Sequence, residues 1–175
     1  MQDIESAIRD VPDFPKPGIV FKDITPLLQN PELFQKAVRL MADQWKDKNI
    51  RSIVGVESRG FIFGGAMVSV LNAGLVPVRK PGKLPCEKVT QTYSLEYGED
   101  TLEMHKDAIK QGDNVLIVDD LLATGGSAKA TADLVEKAGG RVVGFSFLIE
   151  LSFLEGRKKL GDYQVESLIQ VTGEG

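Results

Sequence analysis

The stretch from residue 114 to residue 127 constrains this chain most, because it begins as an apolar strand and ends in a glycine-rich turn. Residues 115–118 form an unbroken apolar run, which is typical of a strand buried on both faces of a parallel sheet. Asp119 and Asp120 follow the run, and Thr-Gly-Gly-Ser at 124–127 leads into a helical pattern. This order predicts a ligand site at the edge of an open α/β sheet.

The residue types of this stretch suit a sugar phosphate. The two glycines have no Cβ, so backbone N–H groups of the turn can contact a ligand. The threonine and serine add hydroxyl donors at the positive end of the following helix, which favours a phosphate monoester. Ionised carboxylates only accept hydrogen bonds, so Asp119 and Asp120 suit vicinal hydroxyls or a magnesium ion. The pattern predicts a ribose 5-phosphate site whose phosphate-binding residues are Ala123, Thr124, Gly125, Gly126 and Ser127.

Other interpretations of the stretch explain less of it. If Thr124 only capped the helix and the glycines only made the bend, the two neighbouring carboxylates would have no role. No Gly-Lys-Ser/Thr closes a P-loop here, and the Gly-x-Gly-x-x-Gly fingerprint of dinucleotide-binding folds is absent. A receiver-type phospho-aspartate module also has acids at strand ends, but it has no use for Thr-Gly-Gly.

Strand and helix patterns alternate along the rest of the chain and predict an α/β fold. A long loop without periodicity, such as residues 81–89, is usually a functional lid. The alternation of side chains at 92–97, the turn after it and the returning segment at 101–106 predict a two-stranded ribbon. Gly74 is expected to end a helix, and the capping-box spacing at residues 152–155 predicts a short helix. His105 is expected to be a solvated strand residue and not a metal ligand or base. Strands are predicted at 19–24, 52–56, 75–80, 92–97, 101–106, 141–149 and 163–171. Helices are predicted at 4–11, 61–73 and 128–138, and a further helix is predicted to begin at Asn30-Pro31. Trp45 is expected to be a buried core residue of this further helix.

Composition excludes several classes of protein. The 175 residues fit one domain, and a net charge of −4 argues against a dedicated nucleic-acid binder. Cys86 is the single cysteine, so no internal disulfide can form and a reducing compartment is expected. The chain shows no basic-then-apolar leader and no apolar run long enough to span a membrane. We therefore expect a single cytoplasmic domain over residues 1–175, with neither nucleic acid nor a membrane as partner.

The string Val-Asp-Asp-Leu-Leu-Ala-Thr-Gly-Gly at 118–126 resembles the phosphoribosyl-diphosphate motif of type I phosphoribosyltransferases. Ser-Arg-Gly-Phe at 58–61 is similar to the adenine-specific branch of that family. The resemblance implies a mostly parallel sheet flanked by helices, an N-terminal hood at 1–30, and a mobile lid loop and ribbon at 81–106. It also implies purine salvage by pentosyl transfer, in which adenine and 5-phosphoribosyl 1-diphosphate give AMP and pyrophosphate.

The resemblance assigns roles outside the central stretch. Glu96 would deprotonate the purine, and Arg59 would be the second catalytic residue. On pattern alone, Glu96 is an exposed ribbon residue and Arg59 is equally well explained as a surface residue. The resemblance places the base against Phe21 and Leu151, with backbone groups at Val20 and Lys22 reading its edge, and the pyrophosphate against Glu57, Ser58, Arg59, Lys80, Lys83 and Tyr97.

A cation and a second subunit complete the expectations. Two aspartates beside an anionic diphosphate would repel it, so Mg²⁺ is expected, bound through substrate oxygens and water and not by a set of protein ligands. The family resemblance implies a homodimer. Two alternatives stay open: a phosphoribosyltransferase for another base, and a regulator of the same fold that senses phosphoribosyl diphosphate and binds nucleic acid.

Overall fold

The N-terminal segment forms a small sheet of its own. The structure is a computed structural model that describes residues 1–95 and 97–173. Helix α1 (Gln2–Ser6) precedes strand β1 (Arg9–Val11), which pairs antiparallel with β2 (Phe21–Asp23). The predicted helix at 4–11 is therefore wrong beyond Ser6. Its last residues pair across strands, because Asp23 accepts hydrogen bonds from Arg9 and Asp10 accepts one from Lys22.

Strands and helices alternate through most of the remaining chain, as the sequence predicted. The elements in order are α2 (Thr25–Gln29), α3 (Pro31–Asp43), β3 (Ser52–Val56), α4 (Gly60–Leu71), β4 (Gly74–Val78), β5 (Lys88–Ser94), β6 (Glu99–His105), β7 (Asn114–Leu122), α5 (Gly126–Lys137), β8 (Arg141–Leu151), α6 (Gly156–Leu160) and β9 (Gln164–Val171). Strands β5 and β6 pair antiparallel as the predicted ribbon. Among the described residues, none of the helices has the length and apolar character needed to cross a bilayer.

A five-stranded, wholly parallel sheet lies at the centre, in the order β4-β3-β7-β8-β9. Two buried apolar clusters cover its two faces. Val115 and Ile117 of β7 belong to one cluster, whereas Leu116 and Val118 belong to the other. The predicted fold class and the predicted burial of this strand on both faces are confirmed. Trp45, which is fully buried in the second cluster, is confirmed as a core residue.

Some local details differ from the predicted ones. Helix α4 ends before Asn72, which takes the left-handed conformation expected of Gly74, and Gly74 instead begins β4. The short helix predicted from the capping-box spacing at 152–155 is a 3-10 turn at Ser152–Leu154, and the α-helix α6 begins only at Gly156. His105 is half-buried, and its Nε2 has no hydrogen-bond partner in the described part of the chain, so its predicted solvation is wrong for that atom.

Candidate active site

The carboxyl ends of β3 and β7 meet at the point where the sheet changes direction. The chain passes from β3 to β4 on one side and from β7 to β8 on the other, and such a switch point is where open α/β sheets bind ligands. A cavity of about 450 Å³ opens there. It brings together most of the predicted phosphoribosyl and pyrophosphate residues from the two strand ends: Glu57, Ser58, Arg59, Asp119, Asp120, Ala123, Thr124, Gly125 and Ser127.

The glycine-rich turn places the start of α5 on this cavity. Gly125 precedes the helix with φ +80°, a left-handed conformation that glycine adopts without steric cost. Among the described residues, no side chain caps the helix. The interpretation of Thr124 as a simple helix cap therefore has no support. The first N–H groups of α5 and the positive end of its dipole are left for an anion.

The two predicted aspartates lie in the second half of β7, which continues past the predicted end of the strand to Leu122. Asp119 accepts a hydrogen bond from the backbone N–H of Asp120 at 2.8 Å. Burial is the main cause that raises the pKa of Asp119 well above its usual value, and the neighbouring charge of Asp120 is the second cause. A positive charge or hydroxyl donors beside the pair would favour the ionised form. The pair is therefore suited to a cation or a sugar diol.

Arg59 joins the two strand ends. Its Nε lies 2.6 Å from Oδ2 of Asp120, whose residue is only 5% exposed. The approach depends on Gly60, since a Cβ there would lie 2.8 Å from the carbonyl oxygen of Val118. The start of α4 therefore packs directly on β7, which brings Arg59 to the acidic pair.

The guanidinium of Arg59 also contacts the N-terminal segment. It lies over the Phe21 ring, 5.3 Å from the ring centre, and the edge of Phe14 packs against Phe21 with ring centres 5.2 Å apart. Phe21 does not line the apolar cavity described next. In this structure, one face of the Phe21 ring, on which a base was predicted to stack, is thus covered by Arg59.

A second cavity, of about 340 Å³ and mostly apolar, adjoins the first. Thr124 borders both, so the apolar cavity lies beside the phosphate turn. Of the predicted base-binding residues, Val20, Lys22 and Leu151 line it. Sequence reasoning missed Phe153, Leu154 and Val171, although the apolar pair Phe153-Leu154, separated from Leu151 only by Ser152, was an available signal for the first two.

The predicted cationic residues surround Glu57. Lys83 donates to its carboxylate, the backbone N–H of Lys80 donates at 2.8 Å, and Nη2 of Arg79 lies 3.5 Å away. Burial alone would raise the pKa of Glu57, but Lys83 and the Lys80 N–H lower it overall. Glu57 is therefore ionised and orients cations, so its own carboxylate is poorly suited to contact a diphosphate directly. Arg79 was not among the residues predicted from the sequence.

The ribbon supplies further contacts. Asp100 of β6 accepts hydrogen bonds from the Lys80 ammonium and from the Tyr93 hydroxyl, and the Tyr93 ring packs against Gly126. Tyr97 is 82% exposed and does not line the cavity, and Glu96 lies outside the described residues. Within residues 1–95 and 97–173, no group of three or more His, Cys, Asp or Glu side chains could hold a metal ion.

Residues 23–174 match the phosphoribosyl transferase domain family. The adenine phosphoribosyltransferase of Myxococcus xanthus (strain DK1622) is 56% identical over 95% of this chain and 91% of that protein. That of Solibacter usitatus (strain Ellin6076) is 58% identical over 97% of this chain and 98% of that protein.

Solved structures of the same family have the same fold. Adenine phosphoribosyltransferase from Rhodothermus marinus DSM 4252 superposes with a TM-score of 0.93 at 54% identity, covering 97% of each chain. The Saccharomyces cerevisiae enzyme, solved with adenine and an imino-altritol bisphosphate, superposes with a TM-score of 0.90 at 45% identity, covering 95% of this chain and 97% of that one. This chain therefore belongs to the phosphoribosyltransferase family, in its adenine phosphoribosyltransferase branch.

Proposed function

We propose that this protein transfers the phosphoribosyl group of 5-phosphoribosyl 1-diphosphate to adenine, forming AMP and releasing pyrophosphate. One observation carries the proposal: the uncapped start of α5 and the pair Asp119–Asp120 open on one cavity, and Thr124 connects that cavity to an apolar one. The first cavity suits a sugar phosphate, and the second suits a flat, mostly apolar base.

The chain's own groups divide the work. The N–H groups at the start of α5 bind the 5-phosphate, and the aspartate pair accepts hydrogen bonds from the ribose hydroxyls. A purine nitrogen attacks C1 of the ribose as the bond from C1 to the diphosphate oxygen breaks, and the purine N–H proton passes to a base. The leaving diphosphate carries away the bonding electrons, so cations such as Arg59 stabilise the charge that develops. Catalysis then depends mostly on positioning and electrostatics.

Arg59 has to change partner during this cycle. In the free protein its guanidinium is paired with Asp120 and covers the Phe21 ring. A diol at Asp120 and a diphosphate nearby would together favour movement of Arg59 toward the diphosphate. That movement would uncover Phe21 for stacking on adenine. Glu96 stays our candidate for the group that takes the purine proton.

Selection of adenine is assigned to the backbone around Val20 and Lys22, which borders the apolar cavity. A fixed carbonyl oxygen pairs with the exocyclic amine of adenine, but it would face another acceptor in hypoxanthine or guanine. Leaving such a buried polar group unpaired costs about 1–3 kcal/mol. Hypoxanthine should therefore be a much poorer substrate than adenine.

Magnesium is proposed as the partner of the diphosphate. The fit is supported by the oxygen-only character of the acidic pair, since carboxylates, phosphates and water are the ligands that Mg²⁺ prefers. When bound with the substrate, the ion would offset negative charge on the diphosphate. Asp119 and Asp120 would face it, and the raised pKa of Asp119 indicates that an extra positive charge is favourable there.

We further propose a cytoplasmic homodimer. Ile62 of α4 and Leu75 of β4 are large exposed apolar residues, and Leu75 packs against Gly64 and Gly65 of α4. Helix α4 contacts β4, which is an edge strand of the sheet, and a second copy bound at this edge would cover both side chains. Light scattering should give twice the mass of one chain, and Leu75→Lys should reduce it to one.

Product analysis tests the activity directly. Labelled adenine and phosphoribosyl diphosphate should give labelled AMP with magnesium and far less after chelation. Unlabelled hypoxanthine and uracil should compete poorly. Absence of AMP, or better competition by another base, would overturn the proposal. Binding of nucleic acid that depends on phosphoribosyl diphosphate would instead support the regulatory alternative.

A further inference from the structure

An ion pair between buried Glu150, at the end of β8, and half-exposed Arg157 has no part in the site described above. Glu150 is 4% exposed, and its two oxygens accept hydrogen bonds from Nε and Nη2 of Arg157 at 2.7 and 2.8 Å. The third nitrogen, Nη1, donates to the carbonyl oxygen of Val165 in β9 at 2.8 Å. One guanidinium therefore joins α6 to the carboxyl end of β8 and to the amino-terminal part of β9.

Helix α6 lies in direct backbone contact with the phosphate turn. A Cβ on Gly125 would come within 2.5 Å of the Gly156 carbonyl oxygen and 3.3 Å of the Cβ of Lys159. A Cβ on Gly156 would in turn clash with the carbonyl oxygen of Ala123. The two backbones are thus packed without room for a methyl group, so a shift of α6 would shift the turn.

The helix needs an external attachment to hold this position. With five residues, α6 is far too short to be stable alone. Burial alone would raise the pKa of Glu150, but Arg157 lowers it overall, so the pair is charged. The Arg157 side chain is 41% exposed, so only Glu150 of this pair is buried. The three hydrogen bonds of Arg157, two to Glu150 and one to Val165, define one location and orientation for α6.

We propose that Arg157 and Glu150 are positioning residues for the 5-phosphate. They hold α6 against residues 123–125 and thereby fix the N–H groups at the start of α5. This inference rests on the proposed function, because it takes the turn to be the phosphate site. Neither side chain lines the cavity of about 450 Å³, so both act through the turn and not by touching the ligand.

The test compares two arginines changed in the same way. Arg157→Met removes the hydrogen bonds of Arg157 to β8 and β9, whereas Leu160 of α6 keeps its place in the core. Arg141→Met is the matched control, because Arg141 also donates to a side chain, that of Asn114, but at the opposite end of β7. Arg157→Met should raise the KM for phosphoribosyl diphosphate and weaken inhibition by ribose 5-phosphate, each by roughly tenfold, as expected for a displaced binding group. Inhibition by pyrophosphate should stay within about twofold of wild type, because no atom of its binding groups has moved.

Two conservative variants keep the test informative if Arg157→Met does not fold. Arg157→Lys keeps the charge but loses the planar fork, and Glu150→Gln keeps the shape but loses the charge. Both should show the selective loss of ribose 5-phosphate binding to a smaller degree. Unchanged ribose 5-phosphate inhibition in these variants would overturn the inference. So would equal loss for ribose 5-phosphate and pyrophosphate with a fall in Tm that matches Arg141→Met.

Failure of the proposed function gives a different result. If the wild type forms no AMP, the activity is refuted whatever the variants do. Calorimetric binding of ribose 5-phosphate to wild type and Arg157→Met then still tests the positioning role. Equal affinities would overturn it, and a selective loss in the variant would support it.

Discussion

Gly125→Ala should damage the phosphate turn in a way that can be separated from ordinary destabilisation. The residue has φ +80°, which costs an L-residue about 1–2 kcal/mol. Its new Cβ would also lie 2.5 Å from the Gly156 carbonyl oxygen, so the turn and α6 would have to separate. Such overpacking adds about 1–3 kcal/mol. Because backbone donors rarely tolerate displacement by a large fraction of an ångström, the KM for phosphoribosyl diphosphate should rise by roughly tenfold to 100-fold.

Gly112→Ala supplies the matched control. Gly112 has φ +83°, and it precedes β7 at the end far from the cavity. A Cβ added to it would have no atom of the described residues within 4 Å. Both variants therefore carry the conformational cost, and only Gly125→Ala adds the steric one. In a thermal unfolding assay, the extra loss should lower Tm by roughly 2–12 °C relative to Gly112→Ala, at about 2–4 °C per kcal/mol.

Steady-state kinetics completes the comparison. Gly112→Ala should keep the wild-type KM for phosphoribosyl diphosphate. If Gly125→Ala had the same Tm and the same KM as Gly112→Ala, the turn would not be the phosphate site. The contact between the turn and α6 would then contribute nothing to the stability of the protein.

Three further predictions concern the carboxylates. Asp120→Asn should raise the KM for phosphoribosyl diphosphate by about tenfold or more, because a charged hydrogen-bond partner of ribose is lost; initial-rate kinetics with unchanged constants would remove that assignment. Glu96→Gln should lower kcat more than adenine affinity, measured by single-turnover kinetics and adenine binding. An unchanged rate would leave Glu96 without a catalytic role. Glu57 has a pKa lowered from its usual 4.5, so its stabilising contribution is present above about pH 4.5 and is lost as the pH falls through the lower folded-state value. In thermal melts, the Tm difference between wild type and Glu57→Gln should therefore shrink on acidification, and a constant difference would contradict this sign.

Local patterns predicted most of the fold because the central strand is buried on both faces. The run at 115–118 and the turn after it were readable from a few adjacent residues. The helix at 4–11 failed beyond Ser6 because cross-strand pairs such as Arg9 with Asp23 are invisible to a helical period. The capping-box spacing predicted a short helix at 152–155 but not α6, whose position depends on contacts with other elements, such as the hydrogen bond from Arg157 to Val165 of β9.

Only those parts of the candidate site that are formed by residues adjacent in sequence were predictable. The acidic pair and the phosphate turn are adjacent in sequence, so their shared cavity could be anticipated. The pairing of Arg59 with Asp120, and of Lys83 with Glu57, joins residues far apart in the chain and required the fold. Phe153 was missed for another reason: its short turn follows a strand end and has no periodicity to interpret.

The uncapped start of α5 has a practical consequence for work at the bench. Backbone N–H groups at an uncapped helix start also bind inorganic anions, so phosphate or sulfate ions from a buffer should occupy the turn. The melting temperature should then rise in proportion to the logarithm of the anion concentration. Kinetic constants obtained in such buffers would then understate the true affinity for the sugar substrate. A zwitterionic buffer with chloride as the only added anion is the appropriate medium for every measurement named above.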